Sequence, residues 1–262
     1  MPLLYEKRGA VAILTLSRPQ ARNAWGEDYN ESLKELLPRL EDDPDIRCVV
    51  VTGDDAGGAF SAGANIKDPK THTSDSIAAA IEALPKRRRF QAFNLISDFA
   101  KPTIAAVNGY AVGIGCIFTY CCDLIVASEK AEWRLPQVAL GILPAQGGTV
   151  RLARWIGRGQ AMKLAMGFPL KAEEAYRTGL AQWLVPHDQL MPQAMQVAEH
   201  IAGLPPLAAR LAKEAVAFGM DSSVREAANA DLYRFMALEL TEDKTEAHQA
   251  WRERRRPTLK GR

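Results

Sequence analysis

The sequence predicts an α/β fold. Apolar runs of strand length are concentrated in the first two thirds of the chain, each is followed by a segment that reads as helix, and helices alone dominate the end. The first strand is Val11-Ala12-Ile13-Leu14-Thr15-Leu16, and Ser17-Arg18-Pro19-Gln20-Ala21-Arg22-Asn23-Ala24 reads as a loop. Leu33, Leu36, Leu37 and Leu40 then recur at helical spacing, closed by Asp43-Pro44. Buried strands are expected at residues 48–52, 102–107 and 124–127, and an apolar helix from Ile117 to Cys122. Beyond residue 148 the pattern predicts helices at 149–156, 159–167, 171–178, 187–203, 205–219 and 222–239. This strand–helix alternation suits βαβ turns.

The chain has 262 residues, 47% of them hydrophobic and 24% charged, which describes a globular protein with a sizeable core. Its net charge of +2 gives no electrostatic case for nucleic acid. Cys48, Cys116, Cys121 and Cys122 sit inside apolar runs without metal-ligand spacing and read as buried free thiols. No stretch approaches the roughly 20 apolar residues of a membrane span, and the start lacks an apolar signal core, so a cytoplasmic protein with no membrane partner is expected.

Two stretches carry the chemistry. Gly58-Ala59-Phe60-Ser61-Ala62-Gly63-Ala64-Asn65-Ile66-Lys67 follows the strand at 48–52, and Asn108-Gly109-Tyr110-Ala111-Val112-Gly113-Ile114-Gly115-Cys116 follows the strand at 102–107. Both are rich in small residues, so a ligand can approach the backbone closely, and both open into a helix whose first N–H groups lack partners. Brought together, they would form a pocket for developing negative charge such as a thioester enolate. Gly113 and Gly115 do not begin a dinucleotide fingerprint, because position 118 is phenylalanine.

Taken with residues 17–24, 136–148 and the ending Trp251-Arg252-Glu253-Arg254-Arg255-Arg256-Pro257, these stretches make the chain resemble the enoyl-CoA hydratase/isomerase (crotonase) superfamily. The resemblance runs from about residue 3 to the C-terminus. It implies a crotonase-like ββα spiral over residues 1–200 that binds acyl-CoA, and a C-terminal helical trimerisation region over 201–262. It further implies a homotrimer or a dimer of trimers. The substrate would be an acyl-CoA thioester, with coenzyme A as part of the substrate and no metal or other cofactor. The oxyanion hole would be the backbone N–H groups of Ala64 and Ile114. Main-chain groups around Ala62, Ala64, Asn65 and Ile66 would hold the adenine end of CoA, with Arg22 and Lys67 as phosphate partners.

The departures from the family pattern matter as much as the match. The resemblance puts one hydratase glutamate at position 117 and the other at 137, where this chain has Ile117 and Gln137. Isoleucine transfers no proton, and glutamine orients a water or carbonyl but has no useful pKa. Gln146 replaces a small residue beside the reacting carbons. Trp133 and Arg134 could reach the pocket wall, although core packing is the competing reading for Trp133. Ile114 and Ile117 predict an apolar pocket. His72 and the basic run at 86–89 read as surface, Tyr233 as a packing or interface residue, and Asp123 as a structural turn residue. Three functions follow: an acyl-CoA enzyme whose oxyanion hole supports decarboxylation, C–C cleavage or thioester hydrolysis; a non-catalytic acyl-CoA-binding paralogue; and an enoyl-CoA hydratase with atypical residues.

Overall fold

The computed structural model describes residues 3–65, 76–79, 81, 82 and 92–262. Six strands, β1 (Leu3–Arg8), β2 (Val11–Leu16), β3 (Cys48–Gly53), β5 (Thr103–Val107), β7 (Leu124–Ser128) and β10 (Trp183–Val185), form one sheet in the order β1-β2-β3-β5-β7-β10. β1 and β2 are antiparallel, and every later neighbour pair is parallel. A parallel sheet must be covered on both faces, and alternation along the strands does this. Leu14, Leu16, Val49, Val51, Ala105 and Val107 join the larger core. Val11, Ile13, Cys48, Val50, Ile104 and Val126 join a second core, which is closed by the helix Leu190–Ala202.

The expected strands and helices are present, with three informative differences. The small-residue stretches are not simple turns. Each contains a short strand, β4 (Ala59–Ser61) and β6 (Tyr110–Val112), and with β8 (Glu132–Arg134) and β9 (Leu170–Lys171) these form a second sheet, β4-β6-β8-β9. Three-residue strands are too short for periodicity to reveal and exist only through their partners. The helix expected at 117–122 instead spans Ile114–Thr119, because Gly113 turns the chain with φ 55° and the helix starts directly after it. The helices expected at 149–156 and 159–167 are one element, Gly148–Ala165, bent where Gly157 takes φ 75°.

The helices include α1 (Glu27–Asp42), α2 (Ala92–Ser97), α3 (Ile114–Thr119), α4 (Gly148–Ala165), α5 (Ala172–Arg177), α6 (Leu190–Ala202), α7 (Pro206–Asp221), α8 (Val224–Glu239) and α9 (Glu242–Glu253). No strand follows β10. No helix among the described residues is long and apolar enough to cross a membrane. Behind the site, Phe118 of α3 lies 4.7 Å from Trp25 and 5.4 Å from Phe93 between ring centroids. This aromatic cluster, with Phe60 beside it, anchors α3 against the loop before α1.

Candidate active site

The loop ahead of α1 is built onto the first small-residue stretch. Asn23 is fully buried, its side-chain amide donates to the carbonyls of Asp54 (2.9 Å) and Ala59 (2.7 Å), and its carbonyl accepts from the Arg18 amide. Arg22 and Asn23 both take positive φ, a conformation asparagine tolerates well. The Ala62 amide then donates to Arg22, the Trp25 amide to Gly63, and the Asn65 amide to Trp25, at 2.8–2.9 Å. Trp25 and Ala64 thereby form a parallel bridge. In such a bridge the bonds come from the residues flanking Ala64, so its own N–H faces the other way. No hydrogen bond among the described residues takes that N–H.

The second stretch is held by β8, since the Gly113 amide donates to the Arg134 carbonyl at 2.8 Å. Ile114 is the first residue of α3, so its amide is one that the helix leaves unpaired. The two stretches touch. A Cβ at Gly115 would stand 2.6 Å from Ser61 Cβ, and one at Gly63 would stand 3.0 Å from the Val112 carbonyl oxygen. Only glycine permits both approaches. The residue next to Ala64 therefore packs on the segment leading to Ile114, and the residue next to Ile114 packs on the strand leading to Ala64.

The loop from 135 to 148 closes this region. The Gln137 amide nitrogen lies 3.4 Å from where a Gly113 Cβ would be, so its side chain sits beside the start of α3. One turn further on, Ile117 is buried, its Cδ1 2.8 Å from the Cβ position of Gly148, with Pro144 beside them. Gln146 takes φ 62°, the left-handed region that costs a non-glycine residue about 1–2 kcal/mol. The side-chain oxygens of Gln137 and Gln146 are both buried and have no hydrogen-bond partner among the described residues. Arg151 donates to Ser97 at 2.5 Å and ties α4 to α2.

The other sequence candidates fall as follows. Trp133 is fully buried and its indole N–H donates to Thr119 at 2.9 Å, so it is a core residue with no polar group left for a ligand. Ile117 is buried against Gly148 and Pro144. Arg22 is exposed, and Ala62 and Asn65 are half-buried. Ile66, Lys67, His72 and residues 86–89 lie outside the described residues. Tyr233 is exposed on α8. Asp123 accepts from the Thr103 amide (2.7 Å) and hydroxyl (2.8 Å) and pairs with Lys213 at 2.8 Å, clamping the start of β5 to α7. Burial pushes its carboxyl up, against the pull of Lys213. Burial also pushes the thiols of Cys48 and Cys121 up to about 12 and raises those of Cys116 and Cys122 well above the usual thiol range, so none is a thiolate nucleophile at neutral pH. Sequence reasoning missed Asn23 as the anchor of the loop and Gly148 as the seat of Ile117. The only cue for the first was an asparagine directly after an X-Pro loop.

A two-sheet α/β core with two glycine-backed turns meeting at a helix start is the architecture of a crotonase-like protein. The chain belongs to the enoyl-CoA hydratase/isomerase family, whose sequence profile matches residues 6–262. It is 37% identical over 257 residues to a probable enoyl-CoA hydratase of Mycobacterium bovis, covering 97% of this chain and 96% of the relative. It is 36% identical to the 2,3-dehydroadipyl-CoA hydratase of Escherichia coli K12, covering 99% of each. Among solved structures, an enoyl-CoA hydratase from Bacillus anthracis superposes with TM-score 0.91 at 30% identity over the whole of both chains.

Proposed function

We propose that the protein is an acyl-CoA enzyme that polarises the thioester carbonyl through the backbone N–H groups of Ala64 and Ile114, without a pair of glutamates for proton transfer. The observation that carries this reading is the close contact of the two glycine-backed stretches, at which neither N–H group has a partner among the described residues. A preorganised donor of this kind is worth ~10²–10³ in rate, because it meets charge that develops only in the transition state. The residues at 117 and 137, isoleucine and glutamine, cannot supply the acid and base of hydration. The reactions that fit are decarboxylation, C–C cleavage and thioester hydrolysis, each of which places charge on the thioester oxygen. Ala62, Asn65 and Ile66 would hold the adenine end of CoA, with Arg22 and Lys67 toward its phosphates. The reading asks for no metal or cofactor besides the coenzyme A of the substrate, with solvent supplying the water for hydrolysis and the proton that quenches the enolate.

A second reading is hydration by a water held between Gln137 and Gln146. The two buried, unpartnered oxygens and the hydratase names of the relatives favour it. Mass spectrometry of an acyl-CoA panel incubated in D₂O separates the readings. The expected result is deuteration at Cα, loss of CO₂ or thioester cleavage on at least one substrate, with crotonyl-CoA hydrated slowly. Rapid hydration of crotonyl-CoA by the unaltered protein would overturn the first reading. Binding without any mass change across the panel would mark a non-catalytic acyl-CoA-binding protein.

We also propose that the chain assembles as a homotrimer or a dimer of trimers. Support comes from α7, α8 and the residue that ends α8, which leave Val216, Leu232, Phe235, Met236 and Leu240 each more than 60% exposed. A face of this kind is seldom left to water. Light scattering on a sizing column should give three or six times the 28.7 kDa of the chain; a monomer at micromolar concentration would refute it.

A further inference from the structure

We infer that His187 is a positioning residue for the oxyanion hole, linking the ends of four parallel strands so that the roots of its two stretches stay in register. The inference rests on the acyl-CoA reading above. The strands β3, β5, β7 and β10 lie side by side in that order, and a chain of polar side chains crosses their C-terminal ends. Asp55 lies just beyond β3, Asn108 follows β5, Ser128 closes β7 and His187 lies just beyond β10. Asn108 Nδ2 donates to the Gly53 carbonyl at 3.1 Å and to Asp55 Oδ1 at 3.3 Å. His187 Nε2 lies 3.0–3.1 Å from the Asp55 carboxylate oxygens, and its Nδ1 lies 3.0 Å from Ser128 Oγ. Ser128 Oγ accepts from the Lys130 amide, which frees its own hydrogen to go to Nδ1 while Nε2–H donates to Asp55. Ser128 and Asn108 are buried, whereas Asp55 is exposed. The outer members are therefore fixed by the fold, and the carboxylate between them is held by what it bonds. An exposed pair of this kind adds little to overall stability, but it sets where the turn at Asp55 sits.

The ladder between the two stretches is too short to do this alone. β4 and β6 pair at two positions, Ala59 with Tyr110 and Ser61 with Ala111, with an irregularity between them. An interrupted ladder of this length holds register weakly. At its start, the turn Asp55–Gly57 runs through Gly58 into β4, and Asn108 runs through Gly109 into β6. A Cβ at Gly109 would stand 2.7 Å from the Gly58 carbonyl oxygen, so the two roots are in contact. A slip of Asp55 against Asn108 would pass along β4 and β6 to Ala64 and Ile114, whose N–H groups must converge on one oxygen.

The test uses the full chain and acetoacetyl-CoA, whose acidic methylene gives its proton to solvent in mild alkali and leaves an enolate with its own near-ultraviolet absorbance. The enolate-to-keto ratio of the bound probe reads the two N–H groups without any turnover. The parent should raise this ratio above that of the free probe at the same pH. In His187→Leu the ratio should fall about fivefold, the scale of one net hydrogen bond, while coenzyme A affinity, the check on folding, stays as it was. Glutamine can place its amide N–H where Nε2 stands, so His187→Gln should stay within about twofold of the parent. Asparagine reaches Ser128 but not Asp55, so His187→Asn should fall as far as His187→Leu. Asp55→Ala should fall equally, and adding His187→Leu to it should lower the ratio no further. Unchanged ratios in His187→Leu and His187→Asn, or an equal fall in His187→Gln, would overturn the inference. A parent that binds coenzyme A and the probe without enriching the enolate would overturn the oxyanion hole and the inference with it. Absence of all binding would overturn the acyl-CoA reading itself.

Discussion

Replacing Ile114 by proline should lower kcat on the protein's own acyl-CoA substrate by ~10²–10³ while leaving the fold intact. A backbone donor cannot be removed by trimming a side chain, but proline removes the N–H itself. Position 114 is suited to this, because it is the first residue of α3, where proline is well tolerated and where no helical bond is lost. The preceding residue is Gly113, with φ 55° and ψ −116°, and only a glycine could sit there before a proline. The measurement is steady-state kinetics alongside a thermal melt. A melt within a few degrees of the parent and a fall in kcat, with KM little changed, would assign the N–H to the transition state. Full activity in a folded Ile114→Pro protein would remove Ile114 from the oxyanion hole.

Installing both carboxylates, as Ile117→Glu with Gln137→Glu, should raise the hydration of crotonyl-CoA by at least ~10²-fold over the unaltered protein. Glutamate matches isoleucine and glutamine closely enough in size to occupy both places. At position 117 it would be buried against Gly148 and Pro144, which should lift its pKa toward neutrality and suit it to donate a proton. Burial of a new carboxyl should also cost stability, on the order of 1–3 kcal/mol, read as a drop in melting temperature. Each single variant should gain much less than the pair, because addition of water needs both an acid and a base. A folded double variant with no gain would mean that the missing carboxylates are not what limits hydration here.

The four long parallel strands were legible in the sequence because a sheet covered on both faces needs unbroken apolar runs, as Cys48–Gly53 shows. The helices from Leu190 to Glu239 were legible for a similar reason, each repeating its apolar residues at helical spacing, whereas the last helix, Glu242–Glu253, was not expected. The family was legible from ordered, spaced motifs, and the whole-chain match supports it. The strands β4, β6 and β8 were not legible. At three residues each they have no period of their own and owe their shape to one another.

The same division runs through the site. Small residues at 58–67 and 108–116 announced a close backbone approach, and the residue types at 117 and 137 announced that no glutamate stands there. That much was determined by the sequence alone, since it depends on side-chain chemistry and order along the chain. That Trp133 and Ile117 are core residues, that Asn23 pins the loop, and that the oxygens of Gln137 and Gln146 have no partner among the described residues depended on tertiary structure. Burial and hydrogen-bond satisfaction are properties of what surrounds a residue in space, and for these five residues the surroundings come mostly from segments distant in the chain.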